Sequence, residues 1–247
     1  MKTKEWFASW FDTTFYHILY QERDDKEAKG FIINLLNHLK LPKKSYVLDL
    51  ACGKGRHSRT LNELGMNVLG VDLSEKSIAY AKKFENDSLH FRVQDMREPF
   101  EEEVFDCIFN LFTSFGYFDQ EEDNQKVLNG ISLMIKPGGL FVLDYLNTTT
   151  AIRDLVPDEQ KMIENVHFDI HRSFDGRFIR KNITVKCLDK NYQFEEKVRG
   201  FTLVEIEKML SKSNLKPIEY FGNFNLDTFD PEQSTRLILV CKKEMNL

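Results

Sequence analysis

The stretch Val47-Leu48-Asp49-Leu50-Ala51-Cys52-Gly53-Lys54-Gly55-Arg56-His57 holds the residue types and spacings that bear most directly on chemistry. An apolar run that ends in a glycine loop and opens into a helix turns backbone N–H groups toward one point, an arrangement that often receives phosphate. Two features argue against a dinucleotide. The G-x-G-x-x-G fingerprint places its third glycine where this chain has Ser58. Asp49, close to the loop, puts a carboxylate where a pyrophosphate would be repelled and a ligand's ammonium, or water ordered around it, would be favoured. Asp72 ends the next strand-like run in Val71-Asp72-Leu73-Ser74, the position from which one side chain accepts from both hydroxyls of a ribose. After a third run, in Gln94-Asp95-Met96, Asp95 is placed to accept from an adenine amino group while Leu73 and Met96 press on the ring. Read together, these positions fit a nucleoside with a cationic tail. The plainer reading makes Asp49 a hydrogen-bonded structural carboxylate and Asp72 and Asp95 turn residues.

Positioning such residues requires alternating strands and helices, and the pattern supplies them from residue 45 onward. Residues 46–51 read as a buried strand, 57–64 carry apolar residues at helical spacing, 67–72 read as a second strand, and Ser74 stands as N-cap to a helix over 76–84. Residues 89–93 and 104–111 give a third and fourth strand. An amphipathic helix over 123–135 is stopped by Lys136-Pro137-Gly138-Gly139, and 140–145 form a fifth strand. The alternation predicts a parallel sheet covered on both faces, with ligands beyond the carboxyl ends of its strands. Past Asn147 the period changes to alternation over 165–173, 178–188 and 192–201, around Asp175-Gly176 and Asp189-Lys190-Asn191 turns, which predicts antiparallel strands. Thr202 with Glu205 has capping-box spacing for a helix, and strands follow at 217–221 and 236–241. We therefore expect one domain over 1–247, with 1–29 as an N-terminal cap or lid and 148–201 as an inserted antiparallel region.

The ordered set of Asp49, Gly53, Gly55, Asp72 and Asp95-Met96 resembles the class I S-adenosylmethionine-dependent methyltransferases, in particular a small-molecule group with a D-x-x-C-G-x-G first motif. The resemblance covers roughly residues 30–147 and the final helix and two strands. It implies a doubly wound, seven-stranded, mostly parallel sheet of Rossmann-like type whose last two strands form an antiparallel pair. It also implies that Asp49, Ala51, Gly53 and Gly55 line the methionine part of S-adenosyl-L-methionine, Asp72 the ribose, and Asp95 with Met96 the adenine, with Cys52 and Leu73 among the cofactor contacts. Asn110, Leu111 and Phe112 would lie under the cofactor. Arg56 and His57 match a G-x-G-R-H variant within the group, and Arg56 joins the expected cofactor contacts. The aromatic N-terminus, with Trp6, Phe7, Trp10, Phe11, Phe15, Tyr16 and Tyr20, either closes over the cofactor or packs on the core; the Trp and Phe residues read first as core packing, while Tyr16 and Tyr20, which share a helix face at i and i+4, are the better candidates for a lid.

Methyl transfer from a sulfonium is an in-line displacement that needs alignment and exclusion of water more than a nucleophilic side chain. For an amine or hydroxyl acceptor the candidate bases are Tyr117, Asp144, Tyr145 and, further off, His171. The N-P-P-Y or D-P-P-Y turn of base-modifying relatives is reduced here to Asn110, with Leu111-Phe112-Thr113 following, so a small polar organic acceptor is expected, with Ser114, Phe115 and Tyr117 as its wall. The formal charge of -5 gives no general attraction to nucleic acid or anionic lipid. No apolar run approaches the ~20 residues of a membrane span, and the four cysteines lack a C-x-x-C pair. A soluble, cytoplasmic protein is expected. His167 and His171 share a strand face without an evident third ligand, so no metal site is expected. The rival functions are a dinucleotide-dependent oxidoreductase and a cofactor-binding module without turnover.

Overall fold

The computed structural model describes residues 5–21, 25–188 and 190–244. Parts of the expected N-terminal cap (1–4 and 22–24) and the Asp189 position of one expected turn lie outside the described residues. Two short helices, α1 (Trp6–Trp10) and α2 (Thr14–Leu19), precede α3 (Asp25–Leu39), and the alternation begins after them.

The main sheet starts with β1 (Tyr46–Leu50), followed by α4 (Arg56–Glu63), β2 (Asn67–Asp72), α5 (Glu75–Ala81), β3 (Leu89–Val93), β4 (Phe105–Asn110), α6 (Glu121–Met134) and β5 (Ile135–Leu146). Successive residues of β1 point to opposite faces, and both faces are apolar: Val47 belongs to a cluster with Val68, Phe91 and Phe109, Leu48 to one with Ile108, Ile131 and Phe141. Burial on both sides is what a parallel strand with helices above and below requires. Ser74 caps α5 by accepting from the Ser77 N–H at 3.0 Å. Gly55 opens α4 with φ of 79°, and a Cβ there would stand 2.6 Å from the Phe91 ring, so conformation and space both demand glycine.

After β5 come α7 (Thr148–Arg153) and the strands β6 (Asp158–Ile163), β7 (Val166–Phe174), β8 (Phe178–Cys187) and β9 (Lys190–Arg199), which form a separate four-stranded antiparallel sheet in that order. Its apolar face, with Phe168, Ile170, Ile183 and Val185, packs on Trp10 and Leu19 of the N-terminal helices. The chain then returns through α8 (Leu203–Lys212), whose Thr202–Glu205 capping box forms as expected, to β10 (Leu215–Phe221) and β11 (Arg236–Lys243).

The seven strands run β10-β11-β5-β4-β1-β2-β3. Pairs among β1 to β5 are parallel, whereas β11 is antiparallel to both β5 and β10. The order reverses at β1 and β4, and a crevice at such a switch point is where ligands of open α/β sheets sit. The largest departures from the sequence reading follow α6. Strand β5 starts at Ile135, opposite Phe105, and Lys136 to Gly139 then bulge out of register, with Gly138 at φ of 73°, before pairing with β4 resumes at Leu140 and Cys107. Helix α7 and the polar edge strand β6 were not expected. Among the described residues no helix is long and apolar enough to cross a membrane.

Candidate functional site

Loops at the carboxyl ends of β1, β2, β3 and β4 border one cavity of about 510 Å³, which α1, α2 and the residues after them close from above. The volume suits a ligand of a few dozen heavy atoms. A shallower depression of about 570 Å³ between α8 and β10, around Glu207 and Tyr220, holds none of the sequence's candidate residues.

Asp72 stands in the cavity wall at the end of β2. Its Oδ2 accepts the Gly53 N–H and its Oδ1 the Ser74 N–H, both at 2.8 Å, so the side chain is locked to the glycine loop on one side and to α5 on the other. Each carboxylate oxygen keeps a second lone pair for a ligand donor. Burial raises the Asp72 pKa, against the two backbone bonds that lower it. Beside it Ala51 and Gly53 adopt φ of 63° and 55°, and a Cβ on Gly53 would meet nothing within 4 Å, so the loop backbone lies open to a ligand. Of the other expected cofactor contacts, Tyr16, Tyr20, Cys52, Arg56, Leu73, Asp95, Met96, Leu111 and Phe112 also line the cavity, as does the candidate base Tyr117. Asp95 stands in the wall with both carboxylate oxygens bonded to the Arg97 guanidinium, which also grips Glu5 through two bonds of 2.9 Å and so ties the third loop to the N-terminal segment.

Several expected residues stand elsewhere. Asp49 is fully buried behind the loop, accepts the Ser58 hydroxyl at 2.5 Å and has its pKa raised by burial to about 6. The serine that replaces the third fingerprint glycine is thus the partner of this carboxylate. Gly55 shapes the turn from beneath, and Asn110 is buried with its amide donating to the Leu50 carbonyl at 3.0 Å. Asp144 and Tyr145, expected as bases, lie away from the cavity because β5 directs both into the interior. Asp144 accepts from the Phe112 N–H at 2.8 Å and from Arg236 Nε at 2.8 Å, and so fixes a turn in which Phe112 and Thr113 hold φ of 58° and 59°. The Tyr145 hydroxyl donates to the Arg199 carbonyl, and burial raises its pKa. His171 is exposed on β7, bonded to Asp158 at 2.8 Å. Phe115 is buried, while Ser114 lines the wall as expected.

The sequence reading did not single out His17, Gln21, Lys54, Arg59, Tyr80, Gln94 and Phe118, all in the wall, nor the cavity role of Phe7 and Phe11. Lys54 lies inside the glycine motif and was legible there. The N-terminal aromatics pack as expected, Phe7 edge-on to Phe118 at 5.6 Å and Phe11 near Tyr117 at 5.7 Å, and the same rings face the cavity.

A model of the methyltransferase domain family matches residues 41–222. The chain belongs to this family. It is 28% identical over 224 residues to YqeM of Bacillus subtilis, a protein named as a methyltransferase, with 84% of this chain and 87% of that one aligned. It is 32% identical over 139 residues to the glycine N-methyltransferase of Mus musculus, a match spanning 49% of this chain and 46% of that protein. In fold it resembles an S-adenosylmethionine-dependent methyltransferase from Clostridium acetobutylicum, with a TM-score of 0.79 and 22% identity over 94% of this chain and 96% of that one. This methyltransferase uses S-adenosyl-L-methionine as its methyl donor. The open Gly53 backbone, the anchored Asp72 and the apolar Leu73 and Met96 fit such a group.

Proposed function

We propose that this methyltransferase transfers the methyl group to an amine nitrogen of a small polar molecule, with the cofactor held in the 510 Å³ cavity. The observation that carries the assignment of the cavity is Asp72, an anchored carboxylate in its wall with one lone pair left on each oxygen. In this reading Asp72 accepts from the ribose hydroxyls, Leu73 and Met96 enclose the adenine, Ala51, Cys52, Gly53 and Arg56 border the methionine part, and Asp95 with Arg97 closes the adenine end. Leu111 and Phe112 form the floor, and Tyr16 and Tyr20 belong to the roof that the helices of residues 5–21 make over the cavity. Asp49 and Gly55 act from behind the loop, and Asn110 by holding the ends of β1 and β4 together. The bound cofactor supplies an electrophilic methyl carbon on a sulfonium.

The protein's part is to align and to exclude water. The rings of Phe7, Phe11, Phe112 and Phe118 remove water from the reaction path, and in this reading the Tyr117 hydroxyl, in the same wall as Ser114, accepts a hydrogen bond from the amine and orients its lone pair. Support for nitrogen comes from the likeness to glycine N-methyltransferase. A panel of glycine, sarcosine, an amino sugar and the hydroxyl counterpart of each, followed by S-adenosylhomocysteine release, tests the acceptor class. Turnover with amines alone is expected; turnover confined to the hydroxyl compounds overturns the nitrogen assignment.

A further inference from the structure

We infer that Glu196, on the inserted sheet and outside the cavity, is a positioning residue for cofactor binding: its one carboxylate fastens both N-terminal helices down as the cavity's roof. The inference rests on the reading of the cavity as the cofactor site. Oε1 of Glu196 accepts the Trp10 indole N–H at 2.6 Å, and the Tyr20 hydroxyl donates to the same carboxylate, 2.7 to 2.8 Å from its oxygens. Lys181, on the neighbouring strand β8, donates to that hydroxyl and stands 3.5 Å from Oε2. Trp10 ends α1 and Tyr20 caps the C-terminus of α2, so one anion joins both helices to β9.

Glu196 touches nothing in the cavity itself, whereas Tyr20 lines it and its ring lies 5.0 Å from that of Tyr16, which lines it too. The opposite side of the roof is tied to the main sheet's loops by the Glu5–Arg97 pair and by the Ser74 hydroxyl donating to Asp12. The roof is therefore held along two lines, one from the core and one from the inserted sheet, and Glu196 supplies the polar fastening of the second. Bonds to a charged, largely desolvated carboxylate are stronger than neutral ones, and removing it leaves a buried indole N–H without its partner. A roof that spends less time closed lowers the apparent affinity by the fraction lost.

The chain has two tryptophans, Trp6 and Trp10, and both lie in α1, so intrinsic emission reports on the roof alone. We expect Glu196→Ala to keep the far-ultraviolet dichroism of the wild type and, without ligand, to show red-shifted emission and stronger acrylamide quenching. Its S-adenosylhomocysteine dissociation constant should rise about tenfold, mostly through faster release. Glu196→Gln, which keeps an acceptor, should recover part of the loss. Tyr20→Phe, which keeps the ring and drops the bonds to Glu196 and from Lys181, should change affinity in the same direction, and adding it to Glu196→Ala should cost little more. Unchanged quenching and release in folded Glu196→Ala overturn the inference. If that variant does not fold, Tyr20→Phe decides, and wild-type release rates in it overturn the inference equally. A wild-type chain that binds no S-adenosylhomocysteine overturns the cavity's assignment instead, while the ligand-free quenching comparison still reads whether Glu196 holds the roof.

Discussion

Removing the Asp72 carboxylate should cost the cofactor its strongest directional contact. In the proposed placement of the cofactor, Asp72→Ala takes a charged acceptor from two ribose hydroxyls, and hydrogen bonds to charged groups contribute about 1.5–3 kcal/mol, which corresponds to a dissociation constant roughly 10- to 150-fold higher. The structure adds a second loss in the same direction. The Gly53 N–H, now held at 2.8 Å, would be released, and the glycine loop that borders the methionine part would lose its fixed position. The Ser74 N–H at the start of α5 is released as well, but Ser74's own side chain still caps that helix, so the fold should survive. Asp72→Asn retains one acceptor and should fall between wild type and alanine. Calorimetric titration with S-adenosylmethionine and S-adenosylhomocysteine, with a nicotinamide dinucleotide as control and dichroism as a check on folding, reads the effect. A folded Asp72→Ala protein that binds within twofold of wild type would refute the reasoning and remove Asp72 from the site.

Asp49 makes a pH prediction. Its folded pKa of about 6 lies above the ordinary value of 3.8, so the folded chain binds this proton more tightly than the unfolded one. The penalty of burying its charge is fully present above pH 6 and fades as the pH falls toward 4. Thermal melts of the ligand-free protein across that window should therefore show Asp49→Asn gaining most over wild type at neutral pH and losing that advantage in acid; parallel profiles would contradict it. Tyr145→Phe removes a buried bond to the Arg199 carbonyl and should lower stability by about 1 kcal/mol while leaving methyl transfer within a few-fold, read by denaturant titration and turnover. Turnover lost in the folded variant would restore Tyr145 as a base.

The sheet and its loops were legible because their signals are local: buried runs of five or six residues, a glycine turn, and the Ser74 and Thr202 caps. What escaped depends on tertiary direction. A strand end such as Asp144-Tyr145 reads identically whether its side chains meet a cavity or the interior, and only the antiparallel β11, with Arg236 opposite Leu146 and reaching Asp144, decides it. Asp49 was found by type and position, yet the Ser58 hydroxyl nine residues on turns it away from the cavity. Strand β6 opens with four polar residues before Met162 and Ile163, as an edge strand can, and gave no period to read. The cavity-facing side of Phe7 and Phe11 was hidden because an aromatic that packs and one that lines a cavity look the same in sequence.

The 186 residues that separate Trp10 from Glu196 bear on how the chain is made. During synthesis α1 and α2 leave the ribosome well before the carboxylate and the apolar sheet face that receive them. Until then Trp10 and Phe15, whose rings rest on Phe194 of that sheet, lack their packing surface, and two helices of five and six residues are too short to persist alone. Helices α1 and α2 are thus made well before the sheet that receives them, and the cavity's roof cannot be fastened on a nascent chain that ends before β9.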